Sequence, residues 1–173
     1  ASPRPLFGGH RLPIPLSIGV VQAGEWASTV PELLHSQGRY GVAVGESLPA
    51  ARAELEAAVA AAADADEWLR EHRPRVEWWG GQFAPAQTPL DSPVVNVLLD
   101  AGAAVCGRDL SIEGVTYGAD MRLLVNDGGI PTVLFGPGDV KLAHRPDERV
   151  PVEQLVQATR TLALAALRFC GYD

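Results

Sequence analysis

A single histidine, His144, follows the glycine turn Gly136-Pro137-Gly138 and precedes an acidic pair. The apolar run over residues 130–135 leads into this turn, where the backbone can approach a ligand closely because glycine has no side chain. Loops at the ends of strands are where α/β proteins place their chemistry. The pattern indicates that His144 is a metal ligand or a catalytic residue, and an ordinary surface histidine is the alternative.

The acidic pair, Asp147 and Glu148, lies three and four residues after His144. A neutral imidazole binds a metal through one ring nitrogen when the other nitrogen is held by a carboxylate or a carbonyl. Either acid is suitably placed for that contact. The alternative is that both acids only open the last helix, whose dipole favours negative charge at its start.

Two arginines are further candidates for contact with a ligand. Arg122 lies two residues after Asp120, in a predicted short helix that follows Gly118. Residues two apart do not share a helix face, so one of them is expected to point into a cleft while the other pairs locally. The alternative is a salt bridge within the lobe. Arg39 lies on the strand face opposite Tyr40, and it is either solvated or directed at a ligand between lobes.

The other histidines are weaker candidates. His10, His35 and His72 have no carboxylate or cysteine at ligand spacing, and we expect them to be structural or solvated. No C-x-x-C, H-E-x-x-H, G-x-S-x-G or phosphate-binding glycine loop occurs in the chain. The chemistry of the chain is therefore expected around His144.

The composition restricts the class of protein. At 173 residues, 47% hydrophobic and 20% charged, the chain is globular. Its net charge of -7 argues against nucleic acid or an anionic membrane as a partner, since both require clustered Lys and Arg. No apolar run approaches the ~20 residues that span a bilayer. Cys106 and Cys170 are expected to be reduced thiols within apolar helices, which favours a cytoplasmic location.

The first part of the chain, residues 1–82, is predicted to be an antiparallel sheet with one helix. Apolar residues alternate over residues 16–21 and 40–44, and residues 76–79 give a third strand. Ser47 is placed to cap the helix that follows, with Pro49 in its first turn.

The second part, residues 83–173, alternates helices with short strands. Helices are predicted over residues 93–105 and 119–126, and strands over residues 110–113 and 130–135. A closing helix begins near Pro151 and ends at Gly171. Its predicted buried face consists of Val152, Leu155, Val156, Thr159, Leu162, Ala163, Ala166 and Cys170. Both parts have fewer elements than a free-standing sheet domain, which indicates a piece of something larger.

Several runs of residues, in order, resemble a known family of enzymes. They are I-G-V-V-Q-A-G-E-W-A-S-T-V-P-E, G-A-D-M-R, G-I-P-T-V-L-F-G-P-G-D and A-H-R-P-D-E-R-V-P-V-E-Q-L. Together they resemble the C-terminal half of the acetylornithine deacetylase, succinyl-diaminopimelate desuccinylase, aminoacylase and glutamate carboxypeptidase family. The resemblance extends from about Pro13 to Gly171.

The resemblance implies an α/β fold in two lobes. Residues 1–82 would be the C-terminal part of a βαββαβ, ferredoxin-like lid that mediates homodimerisation. Residues 83–173 would be the C-terminal part of an α/β domain that binds two metal ions, usually zinc, with cobalt as another option. The activity implied is cleavage of an amide bond in N-acyl amino acids or small peptides, with no nucleic acid and no membrane involved.

The resemblance also implies roles for particular residues. His144 matches the last metal ligand of the family, with its imidazole facing an open cleft. Gly118 and the loop Gly136-Pro137-Gly138-Asp139 would line the substrate pocket.

The two arginines carry a further expectation. Arg39 would replace a lid arginine that aligns with Gly41, and Arg122 is a candidate for a substrate carboxylate. The family's other metal ligands and its catalytic glutamate have no counterpart in the chain, so none of its residues is expected to be catalytic. The chain is therefore predicted to be inactive by itself, and a non-catalytic binding or dimerisation module derived from the family is the alternative.

Overall fold

The computed structural model describes residues 5–171. Within that range the protein is mixed α/β, with one two-stranded antiparallel sheet and four α-helices. The strands are β1 Leu16–Ala23 and β2 Leu34–Tyr40, and the helices are α1 Leu48–Asp64, α2 Glu67–Glu71, α3 Pro93–Cys106 and α4 Val152–Cys170. None of the helices described has the length and the apolar character needed to cross a membrane.

The described residues form two compact units. The first unit contains the described residues up to Pro85 together with Glu113–Ala119. The second unit contains Ala86–Ile112 together with the described residues from Asp120 onward. Each unit therefore combines segments that are distant in the sequence.

The sheet of the first unit is a hairpin with a bulge. Ile18 pairs with Gly38 and Val20 pairs with Gln37, so Gly19 is the extra residue in β1. Every residue of β1 is exposed, as is every residue of β2 except the half-buried Tyr40. The prediction of the first strand is confirmed, and the second strand ends at the residue where the predicted strand 40–44 begins.

Helix α1 begins as its sequence predicts. The Ser47 hydroxyl accepts a hydrogen bond from the amide of Ala50 at 3.2 Å, and Pro49 lies in the first turn. The predicted strand over residues 76–79 is not formed. Instead, the Trp78 indole donates a hydrogen bond to Glu56 of α1 at 2.7 Å, and the Arg52 guanidinium lies 5.6 Å from the centre of the Trp78 ring system.

In the second unit, α3 and α4 pack against each other through small residues. Ala101 and Gly102 are buried on α3, and Ala158 and Thr161 are buried on α4. Gly107 ends α3 in the left-handed region, at φ 66°. The prediction of both helices is confirmed.

The buried face of α4 is not the predicted one. Val152 is 74% exposed and Leu155 is 54% exposed. The buried Thr161 lies against α3 instead, with its Cγ2 3.7 Å from the position of a Cβ built on Gly102. The other members of the predicted face, Val156, Thr159, Leu162, Ala163, Ala166 and Cys170, are exposed as well. The prediction was wrong because α4 has two faces with few charged residues. The face with the smaller side chains, Ala158 and Thr161, is the one that packs against α3.

The remaining predicted elements of the second unit differ from those observed. Residues 110–113 and 130–135 form no strand. The helix predicted over residues 119–126 is observed as a short helical segment over residues 121–127, which is π-helical from Leu123 to Asp127. Residues 130–135 are nevertheless held in place. The buried Thr88 hydroxyl donates to the carbonyl of Thr132 and accepts from its amide at 2.9 Å.

The cysteines agree with the predictions only in part. Cys106 and Cys170 are both free thiols. Cys106 is half-buried, but Cys170 is exposed, because it belongs to the uncovered face of α4. The expectation that both thiols lie in a core is therefore wrong for Cys170.

Candidate functional site

The glycine turn Gly136-Pro137-Gly138 is fixed from α4. Gly138 has φ 97°, a conformation that side chains rarely adopt, so the turn needs a glycine there. The amide of Gly138 donates a hydrogen bond to Oε1 of Gln154, in the first turn of α4, at 2.9 Å. This hydrogen bond joins the loop to α4 through two residues that are 16 positions apart in the sequence.

Asp139 directs the chain from the turn toward His144. One carboxylate oxygen of Asp139 accepts a hydrogen bond from the amide of Lys141 at 2.9 Å. This contact caps the 3-10 turn Val140–Leu142. Asp139 therefore has a structural role in shaping the loop, and its predicted role in binding substrate stays a prediction.

His144 is held in an unusual backbone conformation. It is exposed, and with φ 62° it is the one non-glycine residue with positive φ among the described residues. The left-handed region costs a non-glycine residue roughly 1–2 kcal/mol. The amide of His144 donates to Oε2 of Glu148 at 3.0 Å, which helps to hold this conformation.

The acidic pair makes contacts other than the predicted one. Glu148 holds the backbone amide of His144 rather than a ring nitrogen. Asp147 contributes its main-chain carbonyl, which accepts from the Arg149 guanidinium at 3.4 Å. The role of either carboxylate in holding the imidazole ring stays a prediction.

The other candidate residues fall in both units. Arg122 is half-buried at the start of the π-helical turn in the second unit. Gly118 belongs to the first unit, where a Cβ at this position would lie 2.5 Å from the Phe83 ring. Arg39 is exposed on β2, opposite Ser17 of β1. The structure thus brings Arg122, the glycine turn and His144 into one unit, and it supplies a packing reason for the glycine at position 118.

The described residues do not form a metal site by themselves. Between residues 5 and 171, no three side chains of His, Cys, Asp or Glu are close enough together to hold a metal ion. A zinc ion usually takes three or four protein ligands. His144 fits one position of such a site, and the described residues do not fit the remainder.

Two other histidines have structural contacts. Nε2 of His10 is 2.7 Å from the carbonyl of Gly114, and Nδ1 of His72 is 3.0 Å from the carbonyl of Trp68. The His72 ring also stacks on Trp68, with ring centres 4.1 Å apart. These contacts confirm the structural interpretation of His10 and His72.

Two residues with a part in shaping the site were missed in the sequence. Gln154 holds the glycine turn, and Thr88 holds the segment that leads into it. A glutamine three residues after a proline that opens a helix is a recognisable pattern, because it occupies the position that usually bonds the start of the helix. No pattern in the sequence connects Thr88 with Thr132.

Comparison with known proteins identifies the family. Residues 12–168 match the family described as Peptidase family M20/M25/M40, and the chain belongs to this family. The resemblance found in the sequence is thereby confirmed.

The relatives include proteins named as a deformylase, a deacetylase and a hydrolase. The chain is 35% identical, over 127 residues, to N-formyl-4-amino-5-aminomethyl-2-methylpyrimidine deformylase of Bacillus subtilis. It is 37% identical over 84 residues to acetylornithine deacetylase of Myxococcus xanthus. It is 30% identical over 103 residues to a putative [LysW]-lysine/[LysW]-ornithine hydrolase of Pyrococcus furiosus.

The matches cover much of this chain but little of each relative. They include 69%, 49% and 59% of this chain, respectively. The same matches include 30%, 20% and 31% of the relatives. The chain therefore spans less than a third of the length of these relatives.

Proposed function

We propose that the chain is the C-terminal portion of a zinc-dependent hydrolase that cleaves an amide bond in N-acyl amino acids or small peptides. Membership of the peptidase family and the names of the relatives support amide hydrolysis. The short share of each relative that the chain matches supports a larger protein. The chain alone is inactive, because it has no group that corresponds to the catalytic glutamate.

The observation that carries this proposal is the geometry of His144. The side chain is exposed on a loop whose backbone is fixed at φ 62° by the Glu148 carboxylate. A metal ligand is effective when its position is set before the metal arrives. A histidine whose backbone is held in a strained conformation, on the loop that follows the glycine turn, meets this requirement. A surface histidine without a function has no need of such strain.

The uncovered apolar surface supports a larger protein. On α4, Val152 and Leu155 are exposed, and on β1, Ile18 and Val21 are more than half exposed. Exposed apolar surface of this extent is usually covered by another part of a protein. The family's remaining metal ligands would come from such additional polypeptide. The complete site would hold two zinc ions, with cobalt as an alternative metal.

The substrate would lie between the metal ligand and the glycine turn. Gly136, Pro137, Gly138 and Asp139 supply backbone and a carboxylate at this place. Gly118 is proposed as a further contact with substrate on the basis of the family resemblance alone. Arg122 and Arg39 suit a substrate with a free carboxylate, since a guanidinium binds carboxylates through paired hydrogen bonds.

The remaining parts of the proposal concern organisation. Residues 1–82 are the end of a lid through which the protein forms a homodimer, and residues 83–173 are the end of the catalytic domain. The protein acts in the cytoplasm. The resemblance to the hydrolase family is the basis for the lid, the homodimer and the catalytic domain, and the two free cysteines are the basis for the location.

Metal titration tests the role of His144. The 173-residue chain should bind zinc no better than a surface histidine does. The full-length protein should bind zinc tightly and hydrolyse an N-acetyl amino acid. His144→Ala should weaken zinc binding in the full-length protein more than about 100-fold, because a direct ligand matters more than the groups that support it.

His35→Ala is the matched control, since His35 is also exposed and lies on β2 of the first unit. It should leave zinc binding unchanged. Calorimetry that finds no tight zinc site in the full-length protein would refute the proposal. If that metal-free protein still forms dimers, the non-catalytic dimerisation module becomes the better description.

A further inference from the structure

We propose that Gln154 is a positioning residue, which orients the carbonyl of Pro137 to accept a hydrogen bond from the N–H of a substrate amide. This inference rests on the proposed function and adds a determinant of substrate class to the same site. The proposal concerns the shape of the loop and leaves the chemistry at the metal unchanged.

The start of α4 explains why Gln154 is free to hold the loop. Pro151 is the N-cap of α4, and Gln154 is the third residue of the helix. A glutamine at this position commonly bonds the backbone amide of the N-cap residue. Proline has no amide hydrogen, so this partner does not exist in α4. The Gln154 side chain accepts from the amide of Gly138 instead, at 2.9 Å.

This hydrogen bond fixes the peptide plane between Pro137 and Gly138. No peptide bond among the described residues is cis. In a trans peptide the N–H and the preceding C=O point in opposite directions within one plane. Because the N–H of Gly138 points at Gln154, the carbonyl of Pro137 points away from α4.

At the Pro137–Gly138 peptide the hydrogen-bond donor is used within the protein, whereas the acceptor is not. The amide of Gly138 is occupied by Gln154, and Pro137 has no amide hydrogen to offer. No described residue donates a hydrogen bond to the carbonyl of Pro137. The Pro137–Gly138 peptide therefore presents an acceptor, which suits the N–H of a secondary amide and gives no advantage to an ester.

Kinetics of Gln154 variants in the full-length protein test the proposal. Gln154→Met keeps the length of the side chain but removes the acceptor. For an N-acetyl amino acid, KM should rise about threefold to tenfold, because the loss of one hydrogen bond usually weakens binding by this factor. The kcat should be nearly unchanged. For the ester counterpart, which has no N–H, KM should stay the same. Gln154→Glu keeps an acceptor and should restore KM for the amide.

The matched control is Gln157→Met, one turn further along α4. The Gln157 side chain donates a hydrogen bond to Glu153 and accepts one from Cys106, so its polar atoms are used away from the glycine turn. Its KM values for amide and ester should equal those of the unchanged protein. An equal rise in KM for amide and ester in Gln154→Met would overturn the assignment of the Pro137 carbonyl.

Hydrogen exchange gives a readout that does not depend on activity. The amide of Gly138 should exchange about tenfold faster in Gln154→Met and at the original rate in Gln154→Glu. Unchanged exchange in Gln154→Met would overturn the positioning role. If the unchanged protein hydrolyses no amide, the proposed function fails, whereas the exchange rates still decide whether Gln154 holds the turn.

Discussion

The hairpin of the first unit and the α3–α4 pair of the second unit differ in what holds them together. The hairpin is held by its backbone hydrogen bonds, and all its residues but Tyr40 are exposed. The helix pair buries Ala101, Gly102 and Thr161 at a close contact. The hairpin should therefore tolerate new side chains that the helix contact rejects.

The two regions nevertheless share one property. Both expose large apolar side chains, such as Ile18 on β1 and Val152 on α4. A single hairpin is marginally stable in water, whereas two packed helices have a core of their own. The comparison indicates that the second unit is the more stable part of the chain and that the first unit depends more on additional cover.

The largest effect is expected at the helix contact. Gly102→Val places a branched side chain where even a Cβ meets Leu110, and it also approaches Thr161. Overpacking of this kind should lower the free energy of unfolding of the second unit by about 2 kcal/mol. Urea unfolding measures the change. Ala104→Val, at an exposed position of α3, is the control and should cost less than about 0.5 kcal/mol. Equal costs would show that the contact is loose.

A smaller effect is expected in the hairpin. Gly38→Ala directs a methyl group at the carbonyl oxygen of Ser17, so the strands must move apart locally. The loss should be about 1 kcal/mol, because an exposed hairpin adjusts more easily than a helix contact. Gly19→Ala has open space around it and should be nearly neutral. Hydrogen exchange of the β1 amides measures both, and a hairpin unaffected by Gly38→Ala would contradict the pairing of Ile18 with Gly38.

The smallest effect concerns pH and the one half-buried residue of the hairpin. Burial raises the pKa of the Tyr40 phenol above its ordinary value of 10.0, and the nearby Glu54 carboxylate raises this pKa further. The folded state therefore favours the neutral phenol. Its contribution to stability is complete below about pH 10 and is lost as the pH rises through the pKa of the folded state.

Tyr40→Phe should remove this part of the pH dependence. The difference in unfolding free energy between the unchanged protein and the variant should shrink as the pH rises above 10.0. Urea unfolding at several pH values measures it, with the exposed Tyr117→Phe as the control. A difference that does not change with pH would show that the Tyr40 phenol is freely solvated.

Helices α1, α3 and α4 could be predicted from the sequence because their ends are encoded locally, whereas the short α2 was not predicted. Ser47 and Pro49 mark the start of α1, and Gly107 marks the end of α3. The strands over residues 76–79 and 130–135 could not be predicted reliably. The pattern of apolar residues in a segment shows which side chains are suited to burial, but it does not show whether another segment pairs with it as a strand. In the structure, these segments are held by side chains instead.

The candidate site likewise contains features that could be predicted from the sequence and features that could not. The glycine turn and His144 stand out in the sequence by residue type and order. The residues that hold them in place do not stand out in the sequence. Gln154 and Glu148 accept hydrogen bonds from backbone amides, and the sequence gives no sign of which amides these are. Which face of α4 is buried was also beyond prediction, because it is decided by the close contact with Gly102.

The open edge of β1 has a consequence for handling the chain in solution. The segment Leu16–Ala23 contains no charged residue and no proline, and within the described residues it pairs along one side with β2. Uncharged, apolar segments with an unpaired edge add further strands and grow into cross-β fibrils. Concentrated samples of the chain should therefore precipitate as thioflavin-positive material, and a lysine in place of Val20 should delay it.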